Sequence, residues 1–207
     1  MDRFRGYIAG VGTASGTRLV VGHWPESPLG PFTDVMVENP FGSRLLLAPS
    51  DAVAEYVSAT YSFDAVDVVP LSGRLDDGVL SVAGGPLELR AELGQVTLLG
   101  RMLELVPPAV AVSPTWLRLI SPLAGLFVRG VRTAGRSGGR LEVYGIRSIR
   151  AITSTRCSWN GQDLGDLAPV RPPVRFGFSS VPARPQTLAV TTTILDDPRA
   201  RRRTRRS

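Results

Sequence analysis

The sequence contains no lysine at all. Its 24 basic residues are all arginine, beside one histidine, His23, and one cysteine, Cys157, in 207 residues. Each scarcity removes a class of chemistry. Schiff-base catalysis and a Walker-type phosphate loop both need a lysine. A single cysteine forms no intramolecular disulfide, and one Cys with one His builds no structural zinc site of the His/Cys type. Long apolar runs are scarce too. The most apolar stretch, 107–128, carries Arg118 and helix-breaking Pro114 and Pro122, whereas a spanning helix needs about 20 predominantly apolar residues. The first residues have an acid at Asp2 and lack the apolar run of a signal peptide. With the lone cysteine, this reads as a cytoplasmic, reduced protein.

Charge is distributed unevenly. Residues 199–207 hold six arginines (Arg199, Arg201, Arg202, Arg203, Arg205 and Arg206) and no acid, which leaves 18 arginines against 18 acids in 1–198. The body is formally neutral, so the net charge of +6 describes a tail. Such a tail can hold a polyanion, nucleic acid or an anionic membrane surface, through counterion release.

What is abundant is turn chemistry. Gly (22) and Pro (17) are frequent, and many Val and Thr between them favour short strands joined by tight turns. The pattern predicts a first strand over 17–23 after a flexible entry punctuated by Gly10, Gly12 and Gly16. Gly10-Val11-Gly12 opens a strand in this reading, where a dinucleotide loop would follow one and open a helix.

Pro25, Pro28 and Pro31 fix φ at three positions within seven residues and make a rigid corner. From Phe32 the chain alternates, with Thr33, Val35 and Val37 on one face and Asp34, Met36 and Glu38 on the other. Asn39-Pro40-Phe41-Gly42 turns into a partner strand over 44–48. Residues 49–61 read as a helix with Ser50 or Asp51 as cap. Strands follow over 64–69 and 79–82, the second behind a hairpin turn at Asp76-Asp77-Gly78. Residues 87–93 alternate apolar Leu87, Leu89, Ala91 and Leu93 with outward Glu88, Arg90 and Glu92, after which Gly94-Gln95 turns the chain.

Short helices are expected over 115–120 and 122–129. Gly135-Arg136-Ser137-Gly138-Gly139 matches a G-x-S-x-G pattern, but a strand follows it where a nucleophile elbow needs a helix, and His23 stands in the wrong chain order. The surrounding loop, 132–140, reads as a flexible, disordered basic surface loop, with an anion wrapped between Arg132, Arg136 and Arg140 as the alternative. A long strand over 146–159, a hairpin turn at Asn160-Gly161, a Pro-rich crossing at 169–173, an alternating piece at 174–178 and a last strand over 188–194 complete the chain.

Nine to eleven strands with two or three short helices indicate a mainly β (α+β) single-domain fold, a curved antiparallel sheet or β-barrel. The domain is expected over 1–195, with a disordered Arg-rich tail over 196–207. Ser27-Pro28-Leu29-Gly30-Pro31-Phe32, followed by an alternating strand with an acid at Asp34, resembles the turn and strand of acetoacetate decarboxylase-like proteins. That resemblance implies a cone-shaped β-barrel around a small-molecule cavity. It carries over no catalytic residue, because those enzymes use a lysine.

The leading expectation is therefore a small-molecule-binding β-barrel without an evident catalytic site and without a cofactor. Asp34, Met36 and Glu38 would form the binding wall if their face turns inward, with Arg150 or Arg156 as charge partners for a small apolar or acidic metabolite. A second reading is an interaction protein acting through the Arg tail. A third is a cryptic lyase or hydrolase of the acetoacetate decarboxylase-like fold, drawing on His23, Glu38 or Tyr144.

Overall fold

The computed structural model describes residues 2–104, 134–137, 140–177 and 181–196. The helices expected over 115–129, most of the 132–140 loop and the Arg-rich tail lie outside them.

One continuous sheet forms the fold. Its strands are β1 (Asp2–Thr13), β2 (Arg18–Glu26), β3 (Phe32–Glu38), β4 (Arg44–Ala48), β5 (Ala65–Val68), β6 (Leu71–Asp76), β7 (Val79–Gly84), β8 (Leu87–Val96), β9 (Ala134–Ser137), β10 (Arg140–Trp159), β11 (Gln162–Asp163), β12 (Leu167–Ala168) and β13 (Gln186–Asp196). The spatial order is β5-β4-β3-β2-β1-β13-β10-β8-β7-β6. Pairing is antiparallel throughout except between β4 and β5. The sheet curls until β6 approaches β3, where Gly73 lies against the Thr33 side chain. The fold is thus mainly β, a half-closed barrel of one domain, with helices α1 (Asp51–Ser58) and α2 (Leu98–Glu104) among the described residues. None of these helices is long and apolar enough to cross a membrane.

Two layers of core result. The concave side holds Val11, Leu19, Val21, Val35 and Val37 against Leu80, Val82, Leu87 and Leu89 from the far wall. The convex side is not left to water. Over β2, β3 and β4 it is covered by α1 and by the crossing segment with Val170, Val174 and Phe176. Over β13 and β10 it meets Leu99 and Leu103 of α2. A central strand buried on both faces carries apolar residues at consecutive positions, and β3 is buried at all but its first residue.

Several expectations need correction. The glycine-punctuated entry is in fact β1, a strand paired with β2 and β13. Gly12 is there because its α-carbon faces the backbone carbonyls of Ala168 and Pro169, where a Cβ would collide. β8 runs through Gly94-Gln95 to Val96, and α2 follows it with Thr97 Oγ1 accepting the Gly100 N–H at 3.1 Å. β6 was not foreseen, and 174–177 is irregular chain where a strand was expected, although Val174 and Phe176 are buried and alternate with exposed Arg175 and Gly177. Ser50 is the N-cap of α1, as expected, its hydroxyl accepting the Val53 N–H at 3.4 Å. Both hairpin turns form, with left-handed φ at Asp77 and Gly78 and at Asn160 and Gly161.

Candidate functional site

The β2–β3 hairpin sets the site. Its register places Trp24 opposite Phe32, Gly22 opposite Asp34, Val20 opposite Met36 and Arg18 opposite Glu38. All of these share the convex face. At its centre Gly22 leaves a gap, and a Cβ there would meet both the Asp34 carboxylate and the Trp24 indole nitrogen. The indole lies across that gap and donates Nε1–H to Asp34 Oδ1 at 3.0 Å. A residue with any side chain at position 22 would block the bond.

Above the gap lies a cavity of about 60 Å³, walled mainly by apolar and aromatic groups. Phe4 is central. Its ring centroid is 5.6 Å from Trp24, 6.3 Å from Phe32 and 5.3 Å from Tyr56. Tyr56 comes from α1, and its hydroxyl donates to Asp2 Oδ2 at 2.9 Å, fastening the helix across β1. The polar groups in the wall are few. Thr192 of β13 is buried, and its Oγ1 has no hydrogen-bond partner among the described residues.

Asp34 is the chemical anomaly. Its carboxyl is 2% exposed, and no cation lines its cavity among the described residues. Burial pushes its pKa from 3.8 up to about 7, against the smaller opposing effects of the Trp24 hydrogen bond and of its own backbone N–H. Desolvation outweighs these neutral donors because the charged form has lost its water. A carboxyl with this pKa changes charge near neutrality. It can donate a hydrogen bond when protonated or accept a cation when ionised.

The remaining candidates, Met36 apart, lie elsewhere. Met36 lines the same cavity. Glu38 is fully buried but belongs to an ion cluster, with Arg18 Nη2 at 3.2 Å, Arg175 Nε at 3.1 Å and the Arg175 backbone N–H at 2.8 Å. Arg18 also donates to the carbonyls of Asn39 and Pro172, so the cluster ties the crossing segment to the sheet. Arg150 is held by the Leu93 and Gly94 carbonyls. Arg156 stands opposite Arg90 on the exposed face of β8 and β10. The fold therefore joins Asp34 and Met36 and leaves Glu38, Arg150 and Arg156 apart from them.

His23 faces the concave side, its Nδ1 2.9 Å from Thr33 Oγ1 and its ring stacked on Tyr7. Burial lowers its pKa. Glu38 is on the opposite face, so the two do not form a pair. Cys157 is buried in the concave core, where desolvation pushes its thiol up to about 12 and leaves it inert. No group of three or more potential metal-binding side chains occurs among the described residues. Tyr144 and Ser137 have side chains outside the described set.

Trp24, Gly22, Phe4, Tyr56 and Thr192 were not singled out from the sequence. The first two were within reach: the proline corner at 25–31 fixes the hairpin register, and that register puts Gly22 opposite Asp34 and Trp24 two pairs further along, opposite Phe32. Phe4 and Thr192 depend on pairing between the two ends of the chain, which no local pattern encodes.

No family model matches the sequence, and no curated protein matches it. Among solved structures, the chain path resembles the crystal structure of acetoacetate decarboxylase from Legionella pneumophila subsp. pneumophila. The two share 10% sequence identity with a TM-score of 0.43, over 95% of this chain and 85% of that one.

Proposed function

We propose that this chain is a small-molecule-binding protein whose site is the Asp34 cavity between the convex face of the sheet and α1. The observation that carries the reading is a buried carboxyl with one neutral side-chain hydrogen-bond partner and no counter-charge among the described residues, in the wall of an aromatic-lined space. Buried polar groups in native proteins are nearly always satisfied, and a cavity of this chemistry with few convergent polar groups is a usual form of ligand site. The occupant would be partly apolar with one polar end. An acidic metabolite would meet no cation among the described residues of the wall and would face Asp34 with like charge.

The size is restrictive. A space of about 60 Å³ takes roughly four to five water-sized groups, so the ligand is of that scale.

The test is native mass spectrometry of gently purified protein, followed by thermal unfolding across a panel of small metabolites. A cognate compound at a hundred times its Kd should raise the unfolding free energy by about 2.7 kcal/mol, and Gly22→Ala should abolish that gain. A clean apo mass with no stabilisation by any compound of this size would overturn the proposal.

A further inference from the structure

We propose that the occupant of this cavity is a small alkylammonium cation, held by the Asp34 carboxylate and the surrounding aromatic rings; the inference rests on the cavity being a ligand site. Three independent features of the wall select that charge.

The first is the ring cluster. Trp24, Phe32 and Tyr56 gather around Phe4 with centroids 5.3 to 6.3 Å away and interplanar angles of 49° to 87°. Tilted packing of this kind turns ring faces in different directions, and ring faces are the negative part of the quadrupole that attracts cations.

The second is the charge inventory. Among the described residues, the titratable groups in the wall are Asp34 from β3, Tyr56 from α1 and Tyr61 just beyond it; β1, β2 and β13 contribute none. Tyr56 in turn donates to Asp2 of β1. A cation is thus the ligand charge that the wall can neutralise. A neutral ligand would leave Asp34 holding its proton, and an anion would add a second like charge.

The third is the placement of acceptors. Asp34 Oδ1 takes the indole N–H, while Oδ2 has no side-chain donor among the described residues. An ammonium group beside Asp34 can donate an N–H to Oδ2. The cavity scale fits an amine of about four to five non-hydrogen atoms.

Binding a cation to a carboxyl that is protonated near neutrality releases that proton. Its pKa of about 7 supports a defined pH dependence. Affinity should fall roughly tenfold for each pH unit well below that value and level off above it.

The experiment titrates the full chain with n-propylammonium chloride, 1-propanol and sodium propionate at pH 5, 6 and 8. The readouts are calorimetry and the Trp24 indole N–H signal, with sodium chloride as the blank. The expected result is binding of propylammonium at pH 8 at least tenfold tighter than of either isostere. It should weaken about tenfold from pH 6 to pH 5 and be lost in Asp34→Asn. Should that variant fail to fold, the wild-type pH profile decides alone. If 1-propanol binds as tightly as propylammonium, with no loss toward pH 5, the ligand class is wrong while the site stands. If none of the three moves the Trp24 signal at millimolar concentration, this inference fails. A panel that also yields no stabilising compound removes the site itself.

Discussion

Asp34 and Glu38 stand four residues apart on the same face of β3, and both are carboxylates at 2% exposure or less. Glu38 is met by Arg18 and Arg175 and receives a backbone N–H as well. Asp34 is met by one indole N–H and an aromatic cavity. The register explains the divergence: opposite Glu38 stands Arg18, whereas opposite Asp34 stands Gly22, which supplies no charge and no bulk. One acid is consumed in fastening the Asn39 turn and the 172–175 crossing to the sheet. The other has one oxygen without a side-chain donor among the described residues. Burial of an acid thus says little by itself about function; what separates the two is whether a counter-charge is built in.

Removing that counter-charge should have the largest effect. Glu38→Gln leaves the Arg18 guanidinium, 2% exposed, without its carboxylate. Breaking a buried pair from one side costs about 3–5 kcal/mol. Urea denaturation at pH 7 measures this directly. The double variant Arg18→Met with Glu38→Leu should recover most of the loss, because the uncompensated charge is gone. A Glu38→Gln protein as stable as wild type would erase the distinction between the two acids.

Asp34→Asn should act in the opposite direction, and only above acid pH. The folded pKa, about 7, lies above the ordinary 3.8, so between those values the folded state holds a proton that the unfolded chain has released. Wild-type stability therefore falls as pH rises from about 4 to about 7, and is constant above. Asn does not titrate, and its Oδ1 still accepts from the Trp24 indole. The variant should gain on wild type across this window by an amount on the order of 4 kcal/mol at most, from 1.36 kcal/mol for each pH unit between the two pKa values. Unfolding curves at pH 4 and pH 8 give the difference. A gap independent of pH would show that Asp34 is not desolvated in the way its burial requires.

Much of the frame was legible because water marks one face of a strand. In 87–93 the Leu87-Leu89-Ala91 side is buried while Glu88, Arg90 and Glu92 are exposed, and the alternation reads directly. The proline corner, the Ser50 cap and the Asp77-Gly78 and Asn160-Gly161 turns are equally local, each fixed by its own backbone chemistry. β1 was hidden for the opposite reason. It lies in the middle of the sheet, its last five residues all buried, and Gly10 and Gly12 break the pattern where side chain or backbone from the 168–181 region comes close. β10 also defeats a fixed alternation, since register shifts near Arg147 and between Ile152 and Ser154 change which residues face the core. For the site, the alternation of β3 singled out Asp34 and Met36 but could not say what covers them. Their face points away from the barrel interior, and it is buried because α1 and Phe176 pack over it. That depends on a helix folding back across three strands, a relation that no window of sequence contains.

The smallest of the expected effects is also the most specific to the cavity. Thr192 presents a buried hydroxyl with no partner among the described residues, in a wall otherwise mostly apolar. Replacing it with valine keeps the branched shape and removes the unsatisfied group. In the empty protein Thr192→Val should then be stabilising, by about 1 kcal/mol, the lower end of the cost of an unmade buried hydrogen bond. β13 lies three strands from β3, about 14 Å across the sheet at the usual strand spacing, so an amine held by Asp34 does not reach this hydroxyl. Thermal unfolding with and without n-propylammonium at pH 8 checks both points on one pair of proteins: the variant should be more stable when empty and gain as much from the ligand as wild type. A smaller gain in the variant would place the amine away from Asp34. Equal gains confine the polar contact to Asp34 and leave Thr192 as a hydroxyl that the fold tolerates. The two carboxylates of β3 would still differ, through Asp34 alone.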